Sequence, residues 1–343
     1  MKKEIAYIQA LIKNYPRSGK QLNSPFHSDA EILKVKDGYL GVSVDAVSEE
    51  IELQLINNPV TLGWLTVTAS VSDLSAVGMK TERISLLLKD KNEDQKWQQE
   101  FFQGVAQASA EYQIVEVEKI ITKGVQTLTA CTAYGLSSEA PNLSRVGLVP
   151  GDSLFLTGPI GWGNAVALAN IALRKQSSEL ADKFDLSYRP KARWREALFI
   201  NQYSKVCIDT SDGLLATLKW LEIFNQTKLV IDYKKSLFHP VALEVASLTK
   251  VNPWLFMASQ NGEFELLFSV STQKKAEFLT AAMEHEFHFQ EIGKVESGAG
   301  ICLNGKDLNL EQLLDMLHDG VEPEIYIRKM LEYAVNNEIR FEE

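Results

Sequence analysis

Cysteine is scarce in this chain: only Cys131, Cys207 and Cys302 occur in 343 residues, an odd and widely spaced set with no C-x-x-C pair. That leaves no basis for a disulfide-built scaffold and fits free thiols in a reducing cytoplasm. Cys207 lies two residues before Asp209, but in a strand-like run where a small buried thiol is an ordinary core residue. Long apolar runs are also missing, since no stretch approaches the ~18 apolar residues of a membrane-spanning helix. The opening MKKEIAYIQALIKNY is interrupted by Glu4, Gln9 and Lys13, so it reads as a short amphipathic helix and not as a secretory signal. Basic charge is in deficit: 35 Lys and Arg against 45 Asp and Glu give a formal charge of −10. A nucleic-acid surface needs clustered cations, so nucleic acid is not an expected partner. What is present, 45% hydrophobic and 23% charged residues, describes a globular protein long enough for two domains.

A turn-rich segment, YPRSGKQLNSPFHSDAEI, precedes the first regular structure. ILKVKDGYLGVSVDA then alternates on both sides of Asp37-Gly38, which predicts a β-hairpin with Leu40, Val42 and Val44 on one face and Asp45 closing the second strand. Pro59 to Gly78 has apolar positions at helical spacing, a proline suited to a first turn and a glycine suited to a stop. RISLLL reads as a strand, NEDQKWQQEFFQGVAQASAEY as a helix, and IVEVEKII and TLTACTAYGL as strands. APNLSRVGLVPGDS breaks regular structure and marks a boundary. We therefore expect a domain over 1–145, a second over 146–306 with strands and helices interspersed, and a charged helical extension over 307–343.

Several acids stand where regular elements meet loops: Asp29, Asp45, Asp73, and the pair Asp209 and Asp212 in VCIDTSDGLLATLKWL. Oxygen ligands of this kind suit Mg²⁺, which is held by a few carboxylates while it also binds nucleotide phosphates. Each acid has a plainer reading as a cap on backbone N–H groups, and Asp212 in particular can cap the helix that follows it. Asp73 is harder to explain that way. It falls inside a helix-like apolar segment, where an unpaired buried carboxylate would cost several kcal/mol. A second feature is GDSLFLTGPIGWGNAVAL, a strand running into Gly158, Gly161 and Gly163 and then a helix. Such a turn lets backbone N–H groups approach anionic oxygens, although it matches neither the dinucleotide fingerprint nor a P-loop.

In order along the chain, these motifs resemble the thiamine-monophosphate kinase branch of the aminoimidazole-ribonucleotide-synthetase-like superfamily. The carriers are SDAEIL, VSVDAVSEE, LGWLTVTASVSDLSAVGMKTE, SRVGLVPGDSLFLTGPIGWGNAVAL, IDTSDGLLATL and NGEFELLFSV, spanning residues 24 to 303 or so. The resemblance implies a two-domain α/β (α+β) PurM-like fold, in which the N-terminal domain joins its twin in a homodimer through a β-barrel flanked by helices and the C-terminal domain is an α/β sandwich. It also implies transfer of the γ-phosphoryl group of ATP to a small-molecule acceptor, with Mg²⁺ and ATP as cofactors. On this carry-over Asp29, Ser43, Asp45, Asp73, Asp209 and Asp212 hold metal, and Asp209 and Asp212 carry the chemistry. Ser211 and Arg145 touch ATP, and Glu263 faces the acceptor.

The sequence differs from the family pattern at four places. His27-Ser28-Asp29 keeps one acid of a G-D-D pair. TKGVQTLT has no acid where a G-G-D-T turn is expected, and presents Lys123 and Gly124 to phosphate instead. Glu52 replaces a substrate-side histidine, a change that favours a cationic or hydroxyl-bearing acceptor over an anionic one. NGEFELLF is one residue short of G-E-D-Y-E-L-L-F, so Glu263 and Glu265 compete for one role. Two other readings are an ATP-dependent enzyme of the same superfamily with a different acceptor, and a nucleotide-binding protein that has lost catalysis.

Overall fold

The Thr- and Ser-rich segment Pro59–Ala76 is a helix because of what surrounds it. Nearly every residue from Thr61 to Ala76 is buried, so the run is covered on all sides and its hydroxyls find partners within the helix and on neighbouring elements. Thr66 Oγ1 donates to Leu62 O at 2.8 Å, Ser70 Oγ to Cys131 O at 2.7 Å, and Thr68 shares a 2.8 Å hydrogen bond with the Tyr112 hydroxyl. Asn58 caps its start, accepting from Thr61 N at 3.0 Å. This central helix carries Asp73 near its C-terminal end.

The computed structural model describes residues 6–7, 10–11, 18–91, 93–310, 313 and 322–341; the expected N-terminal helix falls largely outside them. The first sheet comprises β1 (Glu31–Val35), β2 (Gly38–Asp45), β3 (Thr81–Asp90), β4 (Glu116–Lys123) and β5 (Leu128–Ser137), in spatial order β1-β2-β5-β3-β4. The hairpin forms as expected, with Val35 opposite Gly38 and Glu31 opposite Val42. Pairing is antiparallel except between β3 and β4. Helices Pro59–Ala76 and Gln95–Glu111 cover one face, to which Ser43 belongs. The other face carries Leu40, Val42 and Val44, so the apolar stripe read from the sequence points away from the helices. Within one chain this sheet is open, with β1 and β4 as its edges.

The second sheet has seven strands, β6 (Ser153–Leu156), β7 (Cys207–Asp209), β8 (Lys228–Ile231), β9 (Leu266–Val270), β10 (Gln290–Glu296), β11 (Gly300–Leu303) and β12 (Lys306–Leu308), in spatial order β12-β11-β8-β10-β6-β9-β7. All but the β8–β11 pair are antiparallel. Besides the short Ser48–Glu52, two helices escaped the sequence reading. Ser178–Ser187 is held through Asp185, whose Oδ2 accepts from Asn57 N at 2.7 Å, and Trp254–Ala258 is buried throughout. Neither has an amphipathic period long enough to show. Strand β7 is the edge nearest the first domain, and there Ser72 donates across the boundary to Asp209. No helix among the described residues is long and apolar enough to cross a membrane.

Candidate active site

Three chain segments meet at that boundary. Asp29 lies near the end of the turn-rich segment, just before β1, Asp73 comes from the central helix, and Asp209 ends β7. Oxygens of the three lie within 4.8 Å of one another. Each is oriented by a neighbour. The Ser43 hydroxyl, from β2, donates to Asp73 Oδ2. Ser72 Oγ donates to Asp209 Oδ2 at 2.6 Å, and Ser211 Oγ to Asp209 Oδ1 at 2.8 Å. Arg145 Nη2 donates to Asp29 Oδ1 at 2.8 Å, while Arg145 N donates to His27 O at 2.7 Å. Its guanidinium also lies 5.8 Å from the Trp220 ring centroid.

One guanidinium does not neutralise three carboxylates. Burial pushes Asp73 well above the usual carboxylate range, and the charges of Asp209, Asp45 and Asp29 push it further. Asp209 is raised to about 7, first by burial and then by Asp29, against the lowering effect of its serine donors and Arg145. Asp29 Oδ2 is buried with no hydrogen-bond partner. Hard oxygen donors, close spacing and one orphaned buried oxygen fit a divalent cation such as Mg²⁺.

Asp45 and Asp212 stand one step away. Asp45 accepts from Ala46 N at 2.7 Å and is raised to about 6 by burial, with Asp212 adding to the rise. The Asp209–Gly213 corner puts Ser211 and Asp212 at the mouth. Gly213 is required there: its φ is 78° and a Cβ would come within 2.1 Å of Ser259 O. Gly213 itself is the N-cap of the Leu214–Asn225 helix, with no side-chain cap bond, so Asp212 is not that helix's cap. Both acids border a cavity of about 450 Å³. Its other walls are Glu49, Glu50, Leu53 and Leu55 on one side, Asn164, Ile171, Leu255 and Phe264 on another, and Glu322, Pro323, Tyr326 and Ile327 on a third.

Other expected site residues are placed differently. Glu52 is exposed and is not part of the cavity wall, whereas Glu50, which the sequence reading passed over, is. Glu265 is engaged elsewhere: Arg193 Nε and Nη2 grip it at 2.8 and 2.5 Å, and Thr157 Oγ1 donates to it at 2.6 Å. Glu263 points into the glycine turn, where Oε2 accepts from Trp162 N at 2.6 Å and Gly163 N at 3.3 Å. This corrects the expectation that the turn's N–H groups serve a ligand anion. A carboxylate of the chain itself already occupies that positive helix end. Lys123 and Gly124 lie at the β4 edge, three strands across the sheet from β2. Lys123 there pairs with Glu93 at 2.5 Å, away from the acid cluster of its own chain.

The chain matches the family models "AIR synthase related protein, N-terminal domain" over residues 27–136 and "AIR synthase related protein, C-terminal domain" over 149–304. It is 27% identical to the thiamine-monophosphate kinase of Pyrococcus horikoshii over 287 residues, covering 83% of this chain and 87% of the relative. It is 24% identical to the thiamine-monophosphate kinase of Buchnera aphidicola subsp. Schizaphis graminum, covering 89% and 95%. Among solved structures it resembles "AaThiL complexed with AMPPCP and TMP" with a TM-score of 0.72 at 23% identity, over 90% of this chain and 96% of that one. It resembles the hydrogenase maturation protein HypE of E. coli with a TM-score of 0.64 at 16% identity, over 90% and 98%. Carrying both domains in order, the chain belongs to the AIR synthase related family and is a thiamine-monophosphate kinase-like member of it.

Proposed function

We infer that the chain is an ATP-dependent phosphotransferase of the thiamine-monophosphate kinase type, using Mg²⁺ and acting on thiamine phosphate or a related small acceptor. The observation that carries this reading is the convergence of Asp29, Asp73 and Asp209 within 4.8 Å, with Asp45 and Asp212 leading from them into the cavity. In the reaction the bond between the γ-phosphorus of ATP and its bridging oxygen breaks, ADP keeps the electron pair, and an acceptor oxygen bonds to the same phosphorus. Little covalent help is needed, only alignment and charge neutralisation. Asp29, Asp73, Asp209, Asp45 and Asp212, with Ser43 in support, would hold Mg²⁺, which when bound neutralises charge on the phosphates. Ser211 lines the cavity beside the acid cluster, and its hydroxyl and backbone N–H, both donated to Asp209 Oδ1, would fix that carboxylate next to the ATP phosphates. Arg145 contributes a cation beside Asp29, poised to contact a phosphate. The cavity would receive the acceptor, and Glu263 fixes the glycine turn near it.

The reading extends to a homodimer. Val44, Leu136 and Ile120 are 67, 56 and 62% exposed, on a sheet face that also carries Leu40 and Val42. A second copy stacked there would cover them and bring the β4 edge, with Lys123 and Gly124, near the nucleotide. Three free, buried cysteines are consistent with a cytoplasmic setting. The test is ADP release with ATP, Mg²⁺ and candidate acceptors. Turnover should depend on the acceptor and fall at least about a hundredfold in Asp73→Asn and Asp209→Asn. Nucleotide binding with no acceptor-dependent ADP release would leave only a binding protein.

A further inference from the structure

The helix Leu214–Asn225 begins at the Asp209–Gly213 corner and carries Trp220 and Phe224 one turn apart on one face. Their rings stack with centroids 5.5 Å apart, 9° from parallel. Phe26, from the turn-rich segment, stacks on Trp220 at 6.2 Å and 13°, and His27 meets Phe224 edge-on at 5.7 Å. Asp29 follows two residues after His27, and Arg145 lies over the Trp220 ring while it bonds both Asp29 and the His27 carbonyl. Phe26, Trp220 and Phe224 fall outside the motifs SDAEIL and IDTSDGLLATL, and His27 fills the glycine place of the G-D-D pattern. The aromatic stack is thus this chain's own feature, built against the one acid that the pattern keeps.

The same helix fastens the segment that carries Arg145. Asn225, its last residue, donates to Arg145 O at 2.9 Å and accepts from Gly147 N at 2.7 Å and Leu148 N at 3.0 Å. One rigid element therefore sets where Asp209, Asp29 and the Arg145 guanidinium stand relative to one another. Phe26 has φ 65°, a left-handed conformation that a bulky residue keeps only where its surroundings hold it, and the Trp220 face supplies that hold. The Asp29 side chain is fully buried, its Oδ2 has no hydrogen-bond partner, and neither has Arg145 Nε. A single hydrogen bond joins the two side chains, so ring packing supplies the rest of the constraint. Mg²⁺ demands near-ideal octahedral geometry, and the neighbours that orient its ligands matter to its affinity nearly as much as the ligands do.

We propose that Phe26, Trp220 and Phe224 are positioning residues for the metal end of the reaction: their stack, carried by the helix that begins at the Asp209 corner, fixes Asp29 and Arg145 at the separation from Asp209 that Mg²⁺ requires. This rests on the phosphotransferase reading for what the acids hold. The rings act through Asp29 and Arg145 and not on the reacting atoms.

Calorimetric titration of the full chain with Mg²⁺ alone, together with amide hydrogen exchange across residues 24–31, tests the inference without turnover. Trp220→Leu should lower Mg²⁺ affinity about tenfold or more and speed exchange in that segment, while Trp220→Phe, which keeps a ring in the stack, should stay within about threefold of the parent. Phe26→Leu removes a ring from a half-buried turn position and should lower affinity about fivefold, which keeps the inference testable if Trp220→Leu does not fold. Phe278→Leu, in the separate aromatic core around Phe155 and Phe199, should lower the melting temperature yet leave Mg²⁺ affinity and exchange over 24–31 at the parent's values. A parent that binds Mg²⁺, with Trp220→Leu or Phe26→Leu binding it as tightly, overturns the inference and leaves the phosphotransferase reading. So does a loss of affinity that Phe278→Leu reproduces in full, or one that Trp220→Phe does not rescue. A parent that binds no Mg²⁺, either alone or with AMPPCP, overturns the phosphotransferase reading and this inference together.

Discussion

Asp209 and Glu265 are near neighbours where β7 meets β9, Asp209 lying opposite Leu266 and Glu265 immediately preceding that strand. Both are buried, yet their surroundings differ. Glu265 has a bidentate arginine and a threonine hydroxyl, a complete set of partners. Asp209 has two serine hydroxyls and, nearby, two more carboxylates. The first arrangement closes on itself and holds the fold. The second leaves an excess of negative charge that folding alone does not explain, and this separates structural acids from functional ones more sharply than burial does.

Removing one partner from each group should have opposite effects. Arg193→Ala leaves Glu265 buried and unpaired, so it should destabilise the chain by about 3–5 kcal/mol in denaturant unfolding. Asp209→Asn relieves like-charge repulsion, and without added metal the variant should melt no lower than the parent. A drop comparable to that of Arg193→Ala would place Asp209 among the structural acids.

Next in size is the response to Mg²⁺. If the acid cluster binds the ion only when folded, the parent should gain about 2.7 kcal/mol of stability at a hundredfold excess over the dissociation constant. Asp73→Asn and Asp209→Asn should show little gain, and Arg193→Gln should respond as the parent does after allowing for its lower starting point. Melting curves across a Mg²⁺ titration read this directly.

The last comparison concerns Glu263, which has backbone donors and, among the described residues, no ion-pair partner. Burial raises its carboxyl from 4.5 to about 8. The folded state therefore holds the proton more tightly than the unfolded chain does, and the associated stability is complete below pH 4.5 and lost as pH rises through about 8. Glu263→Gln stays neutral throughout and can still accept from Trp162 N. Relative to this variant, the parent should lose melting temperature between pH 4.5 and about 8, while a constant difference would show that the carboxylate is charged and well solvated.

Much of this was legible beforehand. The hairpin, the central helix, the corner around Asp209 and the acids themselves follow from alternation, helical spacing and turn residues. Less legible was which of two similar acids does what. Glu50 and Glu52 are two residues apart on a helix, hence about 200° apart around its axis, so only one reaches the cavity. Glu263 and Glu265 would share a face in a regular strand. Phe264 has φ 61°, and that left-handed residue sends one to the glycine turn and the other to Arg193.

The sequence by itself determined the kinds of local element, the family pattern and the supply of carboxylates, because these depend on short-range periodicity and on residue chemistry. The tertiary structure alone decided that Asp29, Asp73 and Asp209 meet, that Arg145 joins them, that Glu263 fills its own helix end, and that a helix past residue 304 borders the cavity. Those outcomes depend on how two sheets and their helices dock. Charge repulsion, burial and hydrogen bonding act there between residues far apart in the chain, and no local pattern records them.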